Sequence, residues 1–520
     1  NKLRSMEVVR ISPTSYQISD KSGEIQILTQ PANRSTYLLS ELRSPEGRRL
    51  FLKWSPAGAD DSWLDSISDE NRMLLKVERQ TGVKFVFDPQ TEHAYALELS
   101  LANDRLASVK LPETSERHRF VYESTAVGFG QTLLLPKEVN GPLGARDTVF
   151  WSSRENSHKL PEGAPFGWLP RVTTWSQTPG DDDTRVIHEY VWKGTANFLG
   201  YGTDAGYTWE HGRDNLYQVN KDYLYSVEET LKDHEDTVLA VTTRTWNRFH
   251  LQTLEQTVVG QCEIRTDTEY GVVPDATWEM QPAYCQLPHL ITVTYIDHEK
   301  EAETGEGTAR RSERSEYSYD DYGNVLRTEL PTGVVECSEY YPADGSAQGC
   351  PRDASGQVRF LKKKTTFPAP AMADVEAPTL STSYVYEDLP SLIPGDPAHS
   401  VVVQEQLRDE SVDQLIESTA QTYVTDAASP HYGQIATSIT TLNGLATTTR
   451  YTYSILKEGW LRTTTIIEGH DYSTFNLASR SVTHEARSLT TGLIKEQTSA
   501  AGVVTQYEYD LLGRNTRTLI

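Results

Sequence analysis

The feature that most constrains this chain is a short template written twice in its C-terminal half. Tyr317-Ser318-Tyr319-Asp320-Asp321-Tyr322-Gly323-Asn324 and Tyr507-Glu508-Tyr509-Asp510-Leu511-Leu512-Gly513-Arg514 both read Y-x-Y-D-x-x-G-[NR]. In a strand, side chains alternate between faces, so the two tyrosines of Y-x-Y share one face. Asp at the first position of a turn and Gly at the fourth suit a type I turn. Each unit is therefore expected to be a strand, a tight turn and a returning strand. Such a unit cannot bury its aromatic face alone, so units must stack, and tyrosine ladders between neighbouring units are expected across the sheet.

Weaker copies keep only the aromatic pair, at Tyr384-Val385-Tyr386-Glu387 and Tyr451-Thr452-Tyr453. Glycines recur at ten or eleven residues, from Gly323 to Gly333, Gly433 to Gly444 and Gly492 to Gly502, which implies strands of nearly constant length. Strand signals also dominate elsewhere, as in Glu24 to Leu28, Val83 to Phe87 and Thr447 to Tyr453. Helical periodicity is confined to two short candidates, Leu64 to Lys76 and Glu410 to Glu417. The chain reads as all-β, a long antiparallel repeat sheet.

Three regions follow from the pattern. Residues 1–134 read as a meander, punctuated by Lys21-Ser22-Gly23, Ser44-Pro45-Glu46-Gly47, Gln80-Thr81-Gly82 and Asn103-Asp104. Residues 135–310 are richer in Gly, Trp, Tyr and Asp and suggest long aromatic loops between strands. Residues 311–520 carry the repeats, interrupted by Pro-rich stretches near 368–397 that read as loops or edge insertions. The chain opens without an initiator Met and stops inside a repeat-like strand, so we expect a piece of a longer protein.

Composition narrows the function classes. With 49 Lys+Arg against 73 Asp+Glu, the formal charge of −24 repels phosphate backbones and anionic lipid surfaces, so nucleic acid is not an expected partner. The basic run Lys362-Lys363-Lys364 lacks interleaved aromatics and reads as a solvated strand end. No apolar run reaches membrane-spanning length, so no membrane insertion by this segment is expected. The 10 Trp, 27 Tyr and 12 Phe need somewhere to pack, which makes the chain globular.

The four cysteines, Cys262, Cys285, Cys337 and Cys350, are too sparse for a disulfide framework and lack zinc spacing; Cys337 and Cys350 read equally as a bridge or as free thiols. No metal, cofactor or catalytic motif stands out among the 13 histidines and the glycines. Asp181-Asp182-Asp183 follows Pro179-Gly180 without the alternating ligand spacing of a calcium loop and reads as a solvated turn. Two carboxylates from distant strands would suffice for a glycoside hydrolase, and nothing in the sequence names them. No cofactor and no enzymatic activity are expected. Tyr317, Tyr319, Asp320, Gly323, Tyr507, Tyr509, Asp510 and Gly513 are expected to be structural, as strand and turn residues. Trp192, Tyr201, Tyr207 and Trp209 are candidates for contact with a glycan or a partner.

The template resembles the YD repeats of bacterial Rhs proteins and of the B and C components of insecticidal Tc toxin complexes. The resemblance extends to Pro331-Thr332-Gly333, Tyr340 to Gly345, Gly349-Cys350-Pro351 and Val358 to Lys362. It also covers Asn197 to Tyr207 and Thr245 to Leu251, with Gln281-Pro282 and Leu287-Pro288, so that residues 195–520 are covered. It implies a hollow, cocoon-like β-shell, secreted or delivered from a bacterium, that encloses a C-terminal toxin cargo polypeptide and meets other toxin-complex subunits. Cell-surface glycans are the further partner it suggests. The family's self-cleaving region, an aspartate-bearing D-P-x-G-like signature, has no counterpart here, so autoproteolysis is not carried over.

Overall fold

In a computed structural model, the described residues are all except 1, 33, 58–60, 81, 92–93, 113–114, 116, 181–183, 195–196, 202–206, 220, 305–308, 371–376, 457–458, 470–479, 490 and 511–512. The chain is all-β. Among the described residues one antiparallel sheet gathers 34 strands, and a short hairpin of His158–Lys159 with Trp168–Leu169 stands apart. Among the described residues, helix is limited to His298–Thr304 and single turns such as Trp278–Met280. Strands pair with their chain neighbours, as Arg310–Tyr319 does with Val325–Glu329 and Leu445–Ile455 with Trp460–Glu468.

Contacts divide the chain into two compact bodies, one of residues 1–3, 79–84 and 97–331 and one of residues 4–78, 85–96 and 332–520. Because an antiparallel meander reverses at every turn, successive connections fall on alternate margins of the sheet. In the first body the long loops 152–171, 193–223 and 271–287 share one margin, while the connections 141–145, 233–237 and 260–261 lie on the other. In the second body the loops 341–360, 390–398 and 424–434 share a margin in the same way. The opposite margin there ends in short hairpins whose tips expose Val412, Leu442, Leu445 and Val503.

Few side chains are fully enclosed. Most strand residues are half-buried on both faces, and the buried apolar clusters are local: Leu160, Ala164 and Leu199 in the loops of the first body, and Leu389, Val401 and Tyr432 in the second. Within each body the strands are thus held by pairing more than by a packed interior.

Both helix candidates are strand hairpins. Leu64 to Lys76 spans Ser62–Ser68 and Met73–Glu78, and Glu410 to Glu417 leads from His399–Asp409 into Gln414–Tyr423. An aspartate breaks each helical pattern. Asp69 accepts the amides of Asn71 and Arg72 at 2.7 and 2.8 Å, and Asp409 accepts that of Ser411 at 2.8 Å.

Candidate functional site

The repeat turn is built from one aspartate. Asp320 O accepts the Gly323 amide at 3.1 Å, and the Asp320 amide donates to Asn324 O at 3.1 Å. The Asp320 carboxylate takes the amides of Tyr322 and Asn324 at 2.9 and 2.8 Å, and the Asn324 side-chain amide at 2.8 Å. Gly323 sits at φ +76°, the left-handed corner that closes the hairpin. Asp510, Gly513 and Arg514 repeat the geometry, with Gly513 at φ +78° and the Arg514 guanidinium on the Asp510 carboxylate at 2.7 Å.

The same five-residue turn occurs where the sequence template does not. It starts at Asp20, Ser44, Asp233, Asn247 and Ser499, each donating its amide to the carbonyl four residues on. The first residue is Asp, Asn or Ser because each offers a short acceptor to the returning amide. The left-handed corner is Gly at 23, 47 and 502, Asp236 at φ +64° and His250 at φ +62°.

Tyrosine ladders between units do not form, because the strands carrying the pairs, Arg310–Tyr319, Leu380–Leu389, Leu445–Ile455 and Val504–Tyr509, are each separated by three other strands. Tyr317 and Tyr319 stack on each other instead, at 6.4 Å between centroids. The second tyrosine of each pair does something the sequence did not suggest. Its hydroxyl donates to a carbonyl near the start of the preceding strand: Tyr319 to Pro288 at 2.9 Å, Tyr386 to Leu361 at 3.0 Å, Tyr453 to Ile435 at 2.7 Å and Tyr509 to Ile494 at 2.8 Å.

Tyr270 and Trp54 make the same clasp, on Gln252 and Leu39, and Tyr423 and Trp151 reach further along the preceding strand, to Val402 and Pro136. In every case but Tyr453, a register shift against the following strand falls immediately before the aromatic. The extra residue lies on the following strand in each of those cases, opposite the aromatic, so it is that partner strand which bends there while the ring reaches back across the strand behind it. Tyrosine and tryptophan serve because each carries a donor at the far end of a rigid apolar body.

The aromatic loops of the first body are packed around His158. Its ring stands edge-to-face with Trp192 and Phe198, centroids 5.0 and 4.8 Å apart, and Arg171 approaches its Nδ1 at 3.2 Å while lying 4.8 Å over Trp192. Burial, with the Arg171 charge adding, pushes the His158 imidazole down to about 3, so it stays neutral. Trp192 also donates Nε1 to Val172 O at 3.4 Å. Trp209 packs on the Leu160, Ala164 and Leu199 cluster, its amide held by Glu162 O. Tyr207 is half-buried, and burial raises its hydroxyl to about 12. Tyr201 is 41% exposed. The structure thus sets three of the four aromatic candidates into loop packing and leaves Tyr201 with a large free surface.

A polar row crosses neighbouring strands of that body. Glu229 takes His188 Nδ1 at 2.7 Å and Arg244 at 2.6 Å, and Arg244 reaches Glu255 at 2.9 Å. Burial opposes ionisation of Glu229, but the hydrogen bonds from Arg244 and His188 outweigh it and hold the carboxyl below its ordinary range. A carboxyl fixed in its charged form is a poor general acid near neutral pH. Among the described residues no group of three or more His, Cys, Asp or Glu side chains is placed to hold a metal ion.

The four cysteines are free thiols, and Cys350 borders a recess of about 700 Å³ between residues 344–352 and 385–388. Burial, with the Asp388 and Asp353 charges adding, pushes the Cys350 thiol up to about 11. Lys362, Lys363 and Lys364 face Glu339, Glu410 and Glu336 and form no open basic patch. Asp181 to Asp183 lie outside the described residues, and no helix among those described is long and apolar enough to cross a membrane.

No family profile matches the chain, and no curated protein does. Among solved structures, it is similar to a Photorhabdus luminescens Tc holotoxin pore with a mutated TccC3. The identity is 10% and the TM-score 0.19, over 99% of this chain and 29% of that one. TcdB2-TccC3-TEV gives 8% and 0.18, over 99% and 30%. TcdB2-TccC3-Cdc42 gives 8% and 0.12, over 99% and 35%. The chain spans about a third of the length of those chains. At these values the similarity decides neither fold nor function, which rest on the residues above.

Proposed function

We propose that this chain is a wall segment of a bacterial toxin shell, which encloses a polypeptide cargo and keeps it inactive until delivery. The observation that carries this reading is the long antiparallel sheet whose described strand residues are mostly half-buried on both faces, with small and local apolar clusters. A sheet with both faces half-covered needs something against one of them, and an enclosed polypeptide supplies it. The Asx-stabilised hairpins and aromatic clasps suit a wall. They hold strand to strand from within the strip, so stability does not depend on a filled interior. The bulges opposite these aromatics add local twist, which curls a long strip.

The role is mechanical exclusion rather than catalysis, and the partners are the cargo and other toxin-complex subunits. The test is the intact mass of the protein made from its complete natural reading frame, measured under native and denaturing conditions. A second polypeptide released only on denaturation supports the shell. One unbroken chain with all regions equally open to protease argues for an uncleaved scaffold.

A further inference from the structure

The loop 271–287 of the first body contains a small, fully assembled cation site. The turn Trp278–Met280 and the following Gln281 direct three carbonyl oxygens at one point, where the Lys2 ammonium sits. Its Nζ lies 2.6 Å from Trp278 O, 2.9 Å from Glu279 O and 2.5 Å from Gln281 O, and 5.4 Å from the centre of the Trp278 ring. The residues in contact are 276 or more positions apart in the chain, so the site is made by the fold.

The walls of this site are fixed independently of Lys2. The buried Gln281 side chain accepts the Val273 amide at 2.7 Å and donates to the carbonyls of Val273 and Ala276 at 2.8 and 3.0 Å. Tyr217 stacks on Trp278 with centroids 4.1 Å apart, and the buried Arg248 guanidinium donates to Ala276 O. The Glu279 carboxylate adds negative charge. Its own backbone amide and Thr277 hold it below its ordinary range, with Lys2 and Arg213 adding.

The donor set selects its guest. Three carbonyls converging on one nitrogen match the three N–H bonds of a primary ammonium, and the indole supplies a cation–π face. A guanidinium spreads its donors in a plane over several nitrogens and cannot satisfy all three acceptors from one. A quaternary ammonium has charge but no N–H to donate.

We propose that the Trp278–Gln281 turn is a socket for primary alkylammonium groups, filled in cis by Lys2, and that a lysine-type ammonium from outside occupies it when Lys2 is withdrawn. Leu3, whose Cδ1 would lie 3.0 Å from a Cβ on Gly323, seats the same stretch against the Asp320–Asn324 turn. Residues 2 and 3 thus form a short plug across two loops of one margin.

The test uses the full chain with Lys2→Ala and, to keep the length and apolar stem of the side chain, Lys2→Met. Hydrogen–deuterium exchange is followed over residues 271–287, with n-butylammonium or tetramethylammonium added at equal ionic strength. Both variants are expected to exchange about threefold to tenfold faster there than wild type. n-Butylammonium should restore protection in a saturable way, and tetramethylammonium should not. Trp278→Leu in the Lys2→Ala background should weaken that rescue. Unchanged exchange in both Lys2 variants, no rescue by n-butylammonium, or equal rescue by the two cations would overturn the proposal.

Discussion

Gly513 holds the left-handed corner of the Asp510–Arg514 turn at φ +78°, and the nearest heavy atom to a Cβ placed there is Leu493 Cδ1 at 3.6 Å, an ordinary contact. A substitution at Gly513 therefore tests backbone strain with little added clash. An L-residue in this conformation costs about 1–2 kcal/mol, and a β-branched one more. Valine should thus weaken the hairpin by about 2 kcal/mol, close to a 30-fold rise in local opening. Asparagine tolerates the left-handed region, and Asp236 and His250 occupy it in equivalent turns, so Gly513→Asn should cost only a few tenths of a kcal/mol. The assay is amide hydrogen exchange over residues 504–510 and 513–519 in wild type and both variants. Wild-type exchange in Gly513→Val, or equal acceleration in Gly513→Val and Gly513→Asn, would refute the assignment of strain to this corner.

Tyr509→Phe removes the hydroxyl bond to Ile494 O and should loosen the strand Ile494–Thr498 by about 1 kcal/mol, read as faster exchange there with the rest of the chain unchanged. His158 is neutral in the fold down to about pH 3 but takes a proton near 6.5 when unfolded, so its contribution is complete above pH 6.5 and declines as the pH falls toward 3. The loop 152–171 should therefore lose about 2 kcal/mol of protection between pH 7 and pH 5, and His158→Gln should flatten that dependence in exchange rates corrected for intrinsic pH effects. Mass-mapped alkylation of the native protein should label exposed Cys262 first and spare buried Cys285 and Cys350, with Cys350 further protected by its raised thiol.

The strand-turn-strand unit was legible at Tyr317 and Tyr507 because there the acceptor is Asp and the corner Gly, the residue types that each position favours most. The turns ending in Gly23 and Gly47 were readable as turns from their glycines, whereas that at Ser499 was hidden because Ser makes the same amide contact, and those at Asp233 and Asn247 because Asp236 or His250 replaces the corner glycine. The aromatic clasp left no readable signal. It depends on a bulge, which is a pairing irregularity with no residue signature, and on donors that are tyrosine at 319 and tryptophan at 54 or 151. The helical spacing of Leu64 to Lys76 was real as a pattern, but Asp69 turns the chain between two strands and overrides it. The alternating margins were out of reach for a physical reason: which loops become neighbours depends on the pairing of every strand between them. Tyr201 and Trp209 illustrate this, since one is exposed and the other half-buried against the Leu160 cluster, a difference that follows from loop packing and not from composition.

The most direct measurement of the shell account is a cryo-electron microscopy map of the protein produced from its complete reading frame. The account predicts polypeptide density of the cargo against one face of the strands and solvent against the other. Strands with solvent on both faces, or a second folded layer of the same chain filling the space, would contradict it.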